Sequence, residues 1–221
     1  MMLRRWHTSG LAALLVFCSG NIIGYAQSSD VQPIAEWRAY RGSGLPAEWT
    51  ISDGVISHIS GGGDLVSAGS FANAEITFEW KISPGGNSGV FYRVDEQYGA
   101  AVQSGPEYQI LDNAGHPDGQ SPVTSAASAF GLYAPPTDLT KPVGNWNAAK
   151  IVLNGNHVEH WLNGEKVVSF DIGSADWKAR VAGSKFAAWP AFGALPAGHI
   201  VLQDHGSPVE YRNFMVRGLP D

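Results

Sequence analysis

Glu107 and Gln109 stand two apart in Gly105-Pro-Glu-Tyr-Gln-Ile-Leu-Asp-Asn113, a stretch that alternates as a half-buried strand does. Strand parity puts Glu107, Gln109 and Leu111 on one face and Tyr108 and Ile110 on the other. On an exposed face a carboxylate beside an amide is ordinary solvated surface. On the concave face of a curved sheet the same pair can bind a ligand or move a proton. Asn87-Ser-Gly-Val-Phe-Tyr-Arg93 is a second such block, with Phe91 and Arg93 alternating with Val90 and Tyr92. An arginine in mid-strand costs desolvation unless it is paired or wet. Arg93 is therefore expected to pair with a carboxylate, Glu107 being a candidate, or to serve as a fixed cation toward a developing oxyanion. The two roles are compatible.

Leu202-Gln-Asp-His-Gly206 ends a third strand. Parity groups Gln203 with His205 and Leu202 with Asp204. An imidazole titrates near neutral pH and can carry protons, so His205 is either structural or catalytic. Asp112-Asn-Ala-Gly-His-Pro-Asp118 clusters oxygen donors and one imidazole in a turn. It matches no defined metal-loop spacing and reads as an Asx-turn, with a divalent cation as the alternative. His157 and His160 are three apart, on opposite faces of a strand, which argues against a zinc pair. His160 shares a face with Val158 and Leu162 and is expected in the core. Trp161 either covers the core or stacks on a sugar ring.

Short alternating runs separated by Gly, Pro, Asn and Asp must position these residues. Strands are predicted over 49–51, 55–59, 64–67, 74–82, 88–94, 108–112, 147–153, 157–162, 165–169, 199–204 and 209–217. Asn154-Gly-Asn156 and Asn163-Gly164 are hairpin signals, since Asn-Gly supplies positive φ. A short helix is predicted around 175–180. Residues 114–144 and 174–196 are long interruptions, which marks them as functional or disordered. The pattern predicts an all-β fold: two antiparallel sheets packed as a sandwich, with long loops over a concave face.

Residues 1–26 read as a secretory signal peptide: Arg4 and Arg5, an apolar run from Leu11, then small Gly24 and Ala26 before the cut. Phe17 before Cys18 is too large for a lipoprotein signal. The mature chain, 27–221, is expected to be one domain, periplasmic or secreted, with no membrane span; about 195 residues suffice for a single core. Cys18 is the sole cysteine, so no disulfide holds that domain. A net charge of −6 without a basic stripe speaks against nucleic acid. Abundant Gly, Trp and Tyr suit a neutral polar ligand such as sugar. There is no nucleophile elbow, phosphate loop or dinucleotide fingerprint. The close Glu-x-Asp-x-x-Glu arrangement of laminarinase-type glycosidases is also absent.

The ordered set of blocks resembles the bacterial 3-keto-disaccharide hydrolase family, which has a concanavalin-like lectin/glucanase sandwich (jelly roll). The matching stretches are 87–93, 105–113, Gly-Leu-Tyr-Ala-Pro (131–135), Lys-Pro-Val-Gly-Asn-Trp-Asn (141–147), 154–164, Ser-Lys-Phe (184–186), Gly-His-Ile-Val-Leu-Gln-Asp-His-Gly (198–206) and Tyr-Arg-Asn-Phe (211–214). The resemblance implies a hydrolase of 3-keto glycosides. A C3 ketone acidifies the C2 hydrogen, a base removes it, the C1 substituent is expelled, and water adds to the glycal. Glu107, Arg93 and His205 are the expected base, enolate stabiliser and leaving-group proton donor. Gln109, Gln203, Asn87, Lys185, Asp204, Tyr108 and Trp161 are the expected sugar contacts, Tyr108 being the weakest because parity favours the core. No cofactor is required, with a divalent cation in place of Arg93 as an alternative. A separate oxidoreductase must make the 3-keto sugar. Two other readings stay open: a non-catalytic carbohydrate-binding module, and an ordinary glycosidase acting on unoxidised glucans.

Overall fold

Two tight turns show how local chemistry sets the frame. Asp53-Gly54 and Asn163-Gly164 both carry positive φ (51° and 77°, 50° and 93°), as two-residue hairpin turns require. The first joins β3 to β4 and the second β10 to β11 in the computed structural model, which describes residues 31–34 and 36–220. Residues 1–26, read above as a signal peptide, lie outside the described residues. Among the described residues no helix is long and apolar enough to cross a membrane.

Thirteen strands are described: β1 (Gln32–Pro33), β2 (Trp37–Ala39), β3 (Trp49–Ser52), β4 (Val55–His58), β5 (Leu65–Phe71), β6 (Ala74–Ile82), β7 (Asn87–Val94), β8 (Glu107–Leu111), β9 (Asn147–Asn154), β10 (His157–Leu162), β11 (Glu165–Asp171), β12 (Gly198–Leu202) and β13 (Val209–Gly218). They form two antiparallel sheets. The larger runs β11-β10-β9-β6-β13-β4-β3, with β1 also on β13; the smaller runs β2-β5-β12-β7-β8. This is the expected all-β sandwich of concanavalin-like type. β1 and β2 escape the sequence reading because two or three residues carry no alternation. Among the described residues the single α-helix, α1 (Ala175–Ala182), starts at Ser174, whose side chain accepts the Trp177 N–H.

β6 states the core pattern most clearly. Ala74, Ile76, Phe78, Trp80 and Ile82 are buried, and the residues between them are half-exposed. They meet Val90, Tyr92, Tyr108, Ile110 and Leu202 from the smaller sheet. Phe78 stacks on Phe214 at 4.7 Å; truncating such a ring costs about 3–5 kcal/mol. Leu111 also joins this core, although parity grouped it with Glu107 and Gln109.

The outer face of the smaller sheet is divided. Val66, Phe91, Val94, Ala101 and Val201 form an apolar patch there, covered in part by the turn at 101–103. The rest of that face is polar. The segment 114–144 folds onto the β8 edge: Phe130 N–H donates to Glu107 O, Gln109 N–H to Ser128 O and Ala127 N–H to Gln109 O. It thereby satisfies an otherwise open strand edge and walls one side of the polar face.

Candidate active site

Four neighbouring strands set a row of residues across the polar face. Gly89 pairs with Gln109, Gln203 N–H donates to Gly89 O at 2.9 Å, and Gln203 and Asp64 lie one step beyond the pair Leu202–Leu65. Glu107 enters this row diagonally. A Cβ on Gly89 would sit 2.8 Å from Glu107 Cδ, so the carboxylate occupies the space that a side chain at 89 would fill. The hydrogen-bond network orients the Gln109 amide nitrogen toward Glu107 Oε1 (3.1 Å) and Ser88 O (3.0 Å). Gln109 thus holds Glu107.

Glu107 is 6% exposed. Burial pushes its carboxyl up to about 8, with Lys185 pulling it down and Asp64 and Asp118 adding to the rise. Lys185 is the cation that acts on Glu107. It stands 4.5 Å over the Phe130 ring, and Phe130 is hydrogen-bonded to the Glu107 backbone. Asp64, also near, is raised by burial to about 6; Asp204 N–H donates to its Oδ1 at 2.9 Å.

The rim comes from loops. Asp118 N–H donates to His116 Nδ1 at 3.1 Å, which leaves Nε2 to carry the hydrogen of the neutral ring. Asn87 lies 3.5 Å from His116 Nε2 and 3.4 Å from Asp118 Oδ2. His205 is exposed, its ring 6.3 Å from that of His116. Two buried amide oxygens, Asn87 Oδ1 and Gln203 Oε1, have no protein donor among the described residues. Acceptors left bare in this way suit a ligand rich in hydroxyl donors.

The structure therefore brings Glu107, Gln109, Gln203, Asn87, Lys185 and His205 to one region. It corrects four other expectations. Arg93 does not face Glu107. The β7–β12 register shifts between His199 and Val201, and Arg93 takes φ 55° in the bulge, so Val94 rather than Arg93 shares the face of Phe91. Its guanidinium instead donates to Ala72 O (3.3 Å) and Gly155 O, closing loops at the far end. Tyr108 is a core residue whose hydroxyl donates to Trp161 O at 3.1 Å. Trp161 belongs to the larger sheet, with Lys150 4.0 Å above its ring and its indole N–H on Glu159. Asp204 accepts from the amides of Gly61, Gly63 and Gly206 and so clamps the glycine loop. Burial works against its charge, but those bonds and His58 hold it below the usual carboxylate range.

His160 is the satisfied core histidine its parity suggests: Nδ1 donates to Ala127 O, Nε2 accepts from Tyr92, and burial lowers it to about 4. Asp112 makes the Asx-turn, accepting from Ala114 and Gly85 amides. Among the described residues no group of three or more His, Cys, Asp or Glu is arranged to hold a metal. A groove of about 250 Å³ opens between 112–114 and 138–145, over Trp80; Glu107 does not line it. Sequence reasoning misses Asp64, His116 and Asp118 as site residues. Asp64 falls in a predicted strand, but only the pairing register shows what it faces, and the 112–118 cluster reads as a turn.

The sandwich thus sets a buried carboxylate and unmet amide acceptors on its smaller sheet, with a lysine from the turn 185–188 close by, an arrangement that suits a ligand rich in hydroxyls. The comparisons narrow it. Residues 29–217 match the model of the 3-keto-alpha-glucoside-1,2-lyase-like domain, and the chain belongs to that family. A Bacteroides thetaiotaomicron protein called 3-keto-disaccharide hydrolase is 36% identical, over 89% of this chain and 79% of its own. A crystal structure from Parabacteroides distasonis ATCC 8503, provisionally named a glycosyl hydrolase, is 35% identical. It superposes with a TM-score of 0.77 over 83% of this chain and 88% of that one. The carbohydrate binding module CBM66 from Bacillus subtilis shares the fold alone (TM-score 0.51, 13% identity, 82% and 95% covered).

Proposed function

We propose that this protein cleaves the glycosidic bond of 3-keto glycosides, disaccharides among them, by removing the C2 proton. One observation carries the reading: a buried carboxylate, Glu107, set over Gly89 with its pKa raised to about 8, beside the lysine cation. A base of that basicity suits a hydrogen made acidic by an adjacent ketone. Lys185 takes the place expected of Arg93, stabilising the enolate oxygen. His116 Nε2–H is a second donor for oxygen. Asn87 and Gln203 accept from sugar hydroxyls. The curated relative's name and the family description share this substrate type, one as hydrolysis and the other as elimination. An elimination followed by hydration of the glycal amounts to hydrolysis.

The carbohydrate-binding module remains the second reading, because the sandwich also serves as one in CBM66. A lectin has no use for a carboxylate poised near neutrality. The enzyme acts after a separate oxidoreductase that makes the C3 ketone, and the leader sequence would place both substrate and enzyme outside the cytoplasm. The test is incubation with 3-keto-trehalose or 3-keto-lactose beside the unoxidised sugars, with products read by mass spectrometry. Cleavage of the oxidised sugars alone supports the proposal. Binding without cleavage favours the module.

A further inference from the structure

We propose that Asp64 is the proton donor to the departing sugar, working across the sheet from Glu107. The proposal rests on the elimination reading above. Breaking the C1–O bond releases an alkoxide, a poor leaving group unless a proton reaches it as the bond breaks. In an anti elimination the donor stands on the other side of the sugar from the base. Glu107 lies over Gly89 on β7, and Asp64 enters β5, with Gln203 of the intervening strand between them. Two strand spacings put Asp64 and Gly89 about 10 Å apart at the backbone, a separation on the scale of a hexose ring with its substituents. Gln203 Oε1 is buried between them without a donor among the described residues.

The bonding of Asp64 fits. Its Oδ1 accepts the Asp204 N–H, and among the described residues Oδ2 has no hydrogen-bond partner. Burial raises its pKa to about 6. His205, the donor expected from the sequence, is exposed at the rim and has no hydrogen bond among the described residues. The step balances. Glu107 takes the C2 proton, the C2–H electrons form the C1=C2 bond, the C1–O bond breaks, and the Asp64 proton goes to the aglycone oxygen. In hydration the roles reverse: ionised Asp64 accepts a proton from the water adding at C1, and Glu107, its carboxyl proton by then exchanged with solvent, protonates C2.

The test compares wild type, Asp64→Asn and His205→Asn on a 3-keto-disaccharide and on 4-nitrophenyl 3-keto-glucoside, whose leaving group needs no proton. The asparagine variant keeps an oxygen for the Asp204 amide, so the fold is retained; Asp64→Ser repeats the comparison through its hydroxyl. The expected result for Asp64→Asn is a kcat loss of about 100-fold or more on the disaccharide and less than about fivefold on the nitrophenyl glycoside. Equal losses on both substrates, no loss, or a leaving-group-selective loss in His205→Asn instead overturns the role of Asp64. A wild type inactive on both substrates overturns the elimination reading itself, and the assignment with it.

Discussion

The Glu107 carboxylate rests on the bare backbone of Gly89, the cross-strand neighbour of Gln109. The absence of a side chain at 89 creates the position of the base, and Gln109 fixes one of its oxygens. The φ of Gly89 is not among the positive values, so alanine fits the backbone there. Gly89→Ala is expected to keep the melting temperature within a few degrees, since glycine in a strand is itself unfavourable by roughly 0.5–1 kcal/mol. It should cut kcat by about 100-fold, because a displacement near 1 Å is enough to do so. Circular dichroism and turnover of a 3-keto sugar check the two halves of this statement.

Glu107 should make stability fall as pH rises. Its folded pKa is raised from 4.5 to about 8 by burial, so the folded protein holds a proton that the unfolded chain releases. That stabilisation is full below pH 4.5 and is lost as pH climbs through about 8. Asp64, raised from 3.8 to about 6, adds the same trend at lower pH. Thermal melts from about pH 5 to about pH 8 should fall for wild type and fall less for Glu107→Gln. The difference at the upper end should be on the order of a few kcal/mol. A flat wild-type profile would contradict the buried-carboxylate description.

Lys185 lowers the Glu107 pKa, so removing it must raise that pKa further. In Lys185→Met the ascending limb of kcat/KM against pH should move to higher pH, and kcat should fall by about 10²-fold as the enolate loses its cation. A fall in kcat with no movement of the limb would separate Lys185 from Glu107.

Arg93 should matter for stability and not for turnover. Its guanidinium satisfies the Ala72 and Gly155 carbonyls and has no hydrogen bond to a residue of the polar face among the described residues. Arg93→Met is expected to cost about 1–3 kcal/mol in urea unfolding. Turnover per folded molecule should stay within about threefold; a large drop in kcat would return Arg93 to the site.

The reach of the sequence follows from which signals are local. The Asn163-Gly164 turn, the alternation of β6 and the Ser174 start of α1 are written in adjacent residues and are readable there. The shared face of Glu107 and Gln109 follows from parity within one strand, whereas their approach to Asn87 and Gln203 needs the pairing of β8 with β7 and of β7 with β12. Arg93 is misplaced because one bulge residue reverses parity, and nothing in Phe91-Tyr-Arg-Val94 announces a bulge. Trp161 is misplaced because periodicity does not say which sheet a strand joins. Asp64 gains its setting only from pairing with β12, through a hydrogen bond to Asp204, a residue 140 positions away.

That Glu107 removes the C2 proton is tested most directly by running the cleavage of a 3-keto-disaccharide in deuterium oxide and stopping it early. One solvent deuterium at C2 of the 3-keto-glucose released, or a glycal without any C2 hydrogen, is the expected result, with both lost in Glu107→Gln. Release of 3-keto-glucose with its original C2 hydrogen, at a time when the free product has not exchanged, would rule that step out.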